Sequence, residues 1–319
     1  MDAYDLIVSY SEIKNFRLCI QKHHYQYHQG LSPKSKDYRL AMGDVVHGLT
    51  ETHARGGDIK ETLTKFDKQY SKMFEEEGPK DLVKASYTIF KGYVRRWKDQ
   101  PLTYTHIEET LGPIKLINDI GFKFRADGVV LDTDGSHWLL ERKTKGKFRE
   151  VALKDLQTAL YIWALRSMGI PVEGVLWDEI RTKLPVKPEV LKNGQLSKRK
   201  NIDTDWYTYR KRVKELGLDP KNYLDMKRIL KGKEATFYKR TPIPIRQSTI
   251  ENVVRGARAT ALQIQEFKKK KPIMELSFTC NFCEFKRICE AKLDGLDTTF
   301  MIKADFTTRK RRKGGKKED

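Results

Sequence analysis

The segment from Phe122 to Lys143 constrains the fold more than any other stretch of the chain. Two runs of aromatic, β-branched and aliphatic residues flank Asp132-Thr133-Asp134-Gly135, a cluster with the chemistry of a tight turn. A hairpin closed there has its centre near residue 134, which sets Asp127 opposite Glu141 on the paired strand. Glu141 and Lys143 lie two positions apart on one strand and therefore share a face. One turn thus gathers two carboxylates and an ammonium at the end of a hairpin.

The apolar period changes on either side of this unit. Residues 11–28 open with a Ser11 N-cap, predict a short helix carrying Cys19 near its end, and run on into a polar, aromatic stretch. Residues 39–55 and 59–100 have helical spacing, the latter ending before Pro101. Residues 103–144 are rich in Ile, Leu, Phe, Val, Thr and Trp, with breaks at Gly112-Pro113, Asn118-Asp119 and the Asp132–Gly135 turn, and so predict three or four strands. Helical spacing returns over 152–168 and stops at Gly169 and Pro171, and 174–184 reads as a further strand. Helices, strands, helix, strand in that order imply an α/β fold with a mixed sheet. Residues 185–240 are polar and rich in Pro, Lys and Arg, with a weak helix at 206–216, and read as an inserted arm; 247–271 predicts a long amphipathic helix.

Composition narrows the function classes. Hydrophobic residues are 39% of 319, which excludes a wholly disordered or fibrous chain. No apolar run reaches membrane-spanning length, and the N-terminus has neither a basic leader nor a small-residue cleavage site, so a soluble intracellular protein is expected. With 63 Lys+Arg against 43 Asp+Glu the net charge is +20, and counterion release makes nucleic acid the first expected partner. Adjacent carboxylates repel unless a cation lies between them, and hard oxygen ligands suit Mg²⁺ or Mn²⁺. A lysine beside such a metal can orient the attacking water, so Asp127, Glu141 and Lys143 are equipped to hydrolyse a phosphodiester. The plain alternative is a solvent-facing hairpin with an incidental Glu–Lys pair. Gln157 and Tyr161 fall one helical turn apart, and His47 follows Gly43 by four residues; each also fits ordinary packing.

Cys280, Cys283 and Cys289 cluster near the C-terminus, and Cys19 stands alone upstream. Four thiols suit tetrahedral zinc or a [4Fe–4S] cluster, and spacing does not separate the two; Phe282 and Phe285 would shield either site. The basic end, including Arg309, Lys310, Arg311 and Arg312, reads as a non-specific DNA contact, a localisation-like run or a solvated tail. Trp206, Tyr207, Tyr209 and Tyr223 in the arm either form its own small core, the favoured reading, or stack bases of a single strand.

Taken in order, Gly43-x-x-x-His47, Asp127-Gly128, Glu141-x-Lys143 and Gln157-x-x-x-Tyr161 resemble the PD-(D/E)XK nuclease superfamily, specifically its RecB-like exonuclease branch. The cysteines on either side further resemble the iron–sulfur members of that branch, which include AddB-type, CRISPR-associated and phage-encoded relatives. The match covers most of residues 8–292, with Ala126 in place of the proline of the superfamily name. The resemblance implies a restriction-endonuclease-like core and a DNA exonuclease using water activated by Mg²⁺ or Mn²⁺. Its setting would be recombination, repair or replication, of phage type, in bacterial or phage-infected host cytoplasm. It implies His47, Asp127, Glu141 and the Arg142 carbonyl as metal ligands, and Lys143 as the residue positioning water. Gln157 and Tyr161 would orient the site or hold the DNA backbone. It favours a [4Fe–4S] cluster over Zn²⁺ on Cys19, Cys280, Cys283 and Cys289. One nuclease domain, 1–303, would carry the 185–240 arm and precede a basic disordered tail, 304–319. The expected partners are single-stranded DNA or duplex ends and a recombination or replication protein, with no membrane. Competing readings are a non-catalytic DNA-binding protein with a metal clasp, and a redox protein built on the cluster.

Overall fold

The computed structural model describes residues 4–70, 82–148 and 156–309. The chain begins with β1 (Leu6–Val8), α1 (Tyr10–Leu18), α2 (Ile20–His23), a π-helical turn at His24–His28, and β2 (Leu31–Pro33). Three helices follow, α3 (Tyr38–Ala54), α4 (Ile59–Tyr70) and α5 (Leu82–Arg96). Then come β3 (Thr103–Ile107), β4 (Thr110–Ile117), β5 (Ile120–Arg125), β6 (Gly128–Leu131) and β7 (His137–Lys145). A crossover helix, α6 (Leu156–Ser167), leads to β8 (Val172–Arg181), and the arm holds α7 (Trp206–Glu215) and α8 (Leu224–Gly232). The chain closes with β9 (Tyr238–Pro244), α9 (Gln247–Phe267), α10 (Lys286–Leu293), α11 (Thr299–Asp305) and β10 (Phe306–Thr308).

The central sheet has the order β3-β6-β7-β8-β9 and is mixed: β7 and β8 are parallel, the other pairs antiparallel. A parallel pair needs a crossover, and α6 supplies it. A smaller sheet, β1-β5-β4, packs with α1, α6 and α9 around one core, while α3, α4 and α5 enclose a second. Strand β8 serves both by its period of two, sending Val175 and Trp177 into the first core and Ile180 into the second. The α/β class with a central mixed sheet is therefore as expected. Among the described residues no helix is long and apolar enough to cross a membrane.

Several local expectations change. The 103–144 region holds five strands, because Gly112-Pro113 sits at a bulge inside β4, and the true turn falls at Glu108, where φ is +44°. Strand β9 begins inside the expected arm, 185–240, and runs on to Pro244; Pro242 and Pro244 are tolerated because β9 is the sheet's edge. The arm accordingly bridges two adjacent antiparallel strands, β8 and β9. It builds its own core from Leu196, Tyr209, Val213, Tyr223, Met226 and Leu230. The boundary expected at residue 303 lies within α11, and order continues through β10, where Phe306 is buried and the strand pairs with β2. Lys310, Arg311 and Arg312 lie outside the described residues.

Candidate metal and active site

The β6–β7 hairpin has the register expected from its turn, with Gly128 paired to Leu140 and Leu131 to His137. Asp127 and Glu141 therefore face each other one position past the last pair. On the other edge of β6, Ile107 pairs with Gly128 after a bulge between Tyr104 and His106, which advances β3 by one residue and sets Glu108 beside Asp127. Strand β7 runs on past the end of β6, so the Arg142 amide is free of the ladder on that side and donates to Asp127 Oδ2 at 2.5 Å. Helix α3 lies against β7 at Gly43, where a Cβ would stand 2.9 Å from Thr144 Oγ1. One turn further on, His47 points its Nδ1 to within 3.6 Å of Asp127 Oδ1.

His47, Glu108 and Asp127 each offer a ligand atom, and these atoms all lie within 4.8 Å of one another. An imidazole with two carboxylates suits a hard divalent cation such as Mg²⁺ or Mn²⁺. Arg125 orients Glu108 by donating from Nε to Oε2 at 2.9 Å and also reaches Glu51 at 3.4 Å. Burial, then the Asp127 and Glu51 carboxylates, raise the Glu108 pKa against the pull of Arg125. Burial opposes ionisation of Asp127 too, but His47, Arg142 and the Arg142 amide outweigh it and bring the carboxyl to about 2. Burial likewise disfavours the charged His47 ring, and Asp127 reverses the balance, so its pKa is raised.

Glu141 is held separately. Lys143 Nζ donates to its Oε1, and Gln157 Nε2 on α6 reaches the same oxygen at 3.0 Å. The Tyr161 ring is buried 4.9 Å from Phe124; burial first, then the Glu141 charge, raise its pKa, while a hydrogen bond with Gln157 lowers it. Of the expected ligands, the fold brings His47 and Asp127 into one group with Glu108, and ties Glu141 to Lys143 and Gln157. Glu108 was missed because its proximity depends on the β3–β6 pairing, between segments twenty residues apart. Its only local signal is a pair of glutamates, Glu108-Glu109, in an otherwise apolar strand region.

Arg142, whose side chain had no expected role, points to the opposite face and is fully buried. Its Nε lies 3.5 Å from Asp178 Oδ2, and Arg240 Nε lies 3.6 Å from Asp178 Oδ1. Tyr93 donates to Asp178 at 2.5 Å and accepts from Arg240 at 2.9 Å, and Tyr104 accepts from Arg142. This network braces β7 directly behind the Asp127 contact.

The sequence profile of the PD-(D/E)XK nuclease superfamily matches residues 7–290, a span that contains the whole site. The chain belongs to that superfamily. A search of curated proteins gave no match. Among solved structures, one described as the crystal structure of SSO0001 is similar at 12% identity and a TM-score of 0.29, covering 79% of this chain and 85% of that chain.

Away from the β6–β7 hairpin, the segment after α1 meets the C-terminal segment. Tyr25 and Leu31 pack with Phe285, Ile288 and Phe306, and Lys22 pairs with Glu284 at 2.9 Å. The four cysteines lie around this contact as free thiols. Burial, then the Cys283, Cys19 and Cys280 thiols, push Cys289 up to about 11 against a lowering contact from the Tyr25 hydroxyl. Among the described residues no three thiols fall within 4.8 Å of one another. Phe285 is fully buried between Tyr25 and Phe306, whereas Phe282 is 80% exposed and shields nothing. In the arm, Tyr209 and Tyr223 are fully buried in its core, Trp206 packs against it, and Tyr207 is 48% exposed. Arg309 is tied down, donating from its amide to Gly30 O at 2.8 Å and from Nη2 to Ser32 Oγ at 3.1 Å.

Proposed function

We propose that this nuclease is a metal-dependent DNA exonuclease of the RecB-like type. The observation that carries the reading is the convergence of His47, Glu108 and Asp127 at the hairpin mouth, one rung from the Glu141–Lys143–Gln157 set. A divalent cation bound there supplies an acidified water and stabilises the leaving oxygen. In this reading His47, Asp127 and Glu108 hold the cation, with Glu141 and the Arg142 carbonyl as further ligands. The Arg142 amide and Arg125 fix the directions of the Asp127 and Glu108 carboxylates. Lys143 holds the attacking water and offsets charge growing on the phosphate. Gln157 positions Glu141, and Tyr161 positions Gln157.

The same reading gives Cys19, Cys280, Cys283 and Cys289 a [4Fe–4S] cluster that would tie the segment after α1 to the C-terminal segment, a part of the reading that rests on the sequence resemblance. Residues up to β10 form the nuclease domain, the stretch between β8 and β9 its inserted arm, and the basic residues after Arg309 an added DNA contact. A cytoplasmic setting follows from the same resemblance. A role in recombination, repair or replication of phage type, with a partner from that machinery, rests on the sequence resemblance.

End-labelled single- and double-stranded DNA, incubated with anaerobically purified protein in Mn²⁺, Mg²⁺ or EDTA, tests this. Metal-dependent shortening from the ends, reduced about 10²-fold or more in Lys143→Ala and Glu141→Ala, is expected. Folded wild type that leaves both substrates intact in every metal would overturn it, and the label pattern separates exonuclease from endonuclease action.

A further inference from the structure

A cleft of about 770 Å³ separates α5 from the arm, and none of the residues of the cutting site line it. Helix α5 contributes Arg95 and Arg96, α7 contributes Arg210, α8 contributes Lys227 and Lys231, and Lys221 stands at the rim. Of the acidic groups on the same walls, Asp205 is used as the α7 N-cap, accepting from Thr208 N at 2.7 Å, and Glu234 lies 3.8 Å from Arg96; Asp99 is the third. Arg210, Lys221, Lys227 and Lys231 are exposed and have no ion pair among the described residues. Helix α8 explains the arrangement: Met226 and Leu230 enter the arm's core, and Lys227 and Lys231, each one residue on, stay outside it. Tyr207 lines the same cleft with the Arg95 guanidinium 3.4 Å from its ring centroid, yet remains 48% exposed. Tyr209 and Tyr223 supply the arm's core, so the fold does not require Tyr207.

Unpaired cations converging on a concave wall attract a polyanion through counterion release, and an exposed ring among them offers a surface for an unpaired base. We propose that this cleft is a second DNA site that binds a single strand, with phosphates against Arg210, Lys227 and Lys231 and a base against Tyr207. It rests on the nuclease reading only in taking the strand to be substrate, anchored away from the point of cutting. The anchor and the cutting site share a scaffold, since Tyr93 of α5 hydrogen-bonds Asp178 in the network behind Arg142.

The test is fluorescence anisotropy of a labelled oligothymidylate with the full chain in EDTA, so that binding is read without cleavage, across a salt titration. The variant Arg210→Glu/Lys227→Glu/Lys231→Glu is compared with Lys65→Glu/Lys269→Glu/Lys271→Glu, which changes the net charge equally at exposed lysines outside the cleft. The cleft variant is expected to bind at least about tenfold more weakly than this control, with a salt slope shallower by about 2, from ~0.7 per lost phosphate contact. Tyr207→Ala, which keeps the charge, is expected to weaken binding about tenfold with the slope unchanged. Thermal unfolding verifies each fold, and single Lys227→Glu and Lys231→Glu variants stand in should the triple variant unfold. Equal affinity and slope in the cleft and control variants would overturn the proposal. So would loss of duplex binding alone, or loss of polyglutamate binding with DNA binding intact, which would assign the cleft to an acidic protein. Cleavage by wild type is scored separately, so an inactive protein with intact cleft binding would sink the enzyme reading and leave this site standing.

Discussion

Strand β7 feeds two charged clusters of opposite character. Glu141 and Lys143 turn to the open side, beside the group formed by His47, Glu108 and Asp127, whereas Arg142 between them turns to a sealed one with Asp178 and Arg240. In the open group the side chains of His47, Asp127 and Glu108 are 29%, 17% and 8% exposed, so solvent reaches it chiefly past His47 and Asp127, and carboxylates are in excess. In the sealed group Arg142 and Asp178 are 1% and 0% exposed, and two guanidiniums share one carboxylate. An excess of anions within reach of solvent can be completed by a cation from outside. An excess of cations closed off from water must be balanced by groups already in the fold, here the oxygens of Tyr93 and Tyr104. The period of two along a strand lets adjacent residues serve these separate ends.

The sharpest way to break that contrast is to neutralise one acid in each cluster. Asp178→Asn leaves the buried Arg142 and the largely covered Arg240 without their counter-charge and is expected to cost about 3–5 kcal/mol in urea-induced unfolding. Glu108→Gln gives up the charge in the Arg125 pair at a side chain only 8% exposed, but it relieves repulsion from Asp127 and Glu51, and is expected to shift stability by no more than about 1 kcal/mol without metal. Comparable destabilisation by the two substitutions would mean that the open cluster is also a structural ion network and not a vacancy for a cation.

The two clusters also differ in how far the sequence foretold them. Asp127 opposite Glu141 was legible because both belong to one hairpin whose turn residues declare its centre. The sealed cluster was not, because Arg142, Asp178 and Arg240 come from three strands and Tyr93 from a helix, and nothing local marks a buried arginine. Glu108 falls between these cases: it neighbours Asp127 only because a bulge in β3 advances a non-local register by one residue. Helix boundaries followed the apolar period, but the expected cap did not hold: Ser9, not Ser11, accepts from Glu12 N at 3.3 Å and caps α1, while Ser11 lies inside the helix. Strand β9 escaped because its two prolines argue against a strand until the sheet order shows it at the edge. The arm aromatics divided, with Tyr209 and Tyr223 in the core and Tyr207 at the surface, a split that spacing along one helix does not reveal.

Metal binding sharpens the contrast from the other direction. If the open cluster takes a cation, Mn²⁺ at about a hundred times its Kd should stabilise wild type by about 2.7 kcal/mol. Glu108→Gln should weaken Mn²⁺ binding by at least about tenfold, and Arg125→Ala, which frees the Glu108 carboxylate from its donor, by about tenfold. Titration calorimetry on catalytically silent Lys143→Ala protein reads both. Undiminished Mn²⁺ affinity in Glu108→Gln would move the metal toward Glu141 and leave Glu108 as an electrostatic neighbour. Asp178→Asn protein, refolded at low temperature, should retain most of its Mn²⁺ affinity.

The smallest expected effect is the pH dependence, and its sign distinguishes the clusters. The His47 pKa is raised above 6.5 in the fold, so its ion pair with Asp127 contributes fully below that value and is lost as pH rises through the raised one. Asp127, lowered from 3.8 to about 2, contributes above pH 3.8 and loses its share only as the pH falls toward 2. Above pH 6.5 His47 is therefore the member of this pair that titrates, and a metal must displace its proton. Mn²⁺ affinity should rise with pH by at most about tenfold per unit and level off once the ring is neutral, while the metal-free fold loses the pair's stabilisation over the same range. His47→Gln should flatten that rise. The Asp178→Asn penalty should stay level across the window: burial opposes the Arg142 charge, but Tyr93, Tyr104, Asp178 and Asp127 more than offset it and hold the guanidinium protonated. A penalty that varied with pH as steeply as Mn²⁺ affinity would mean that the two faces of β7 titrate as one system.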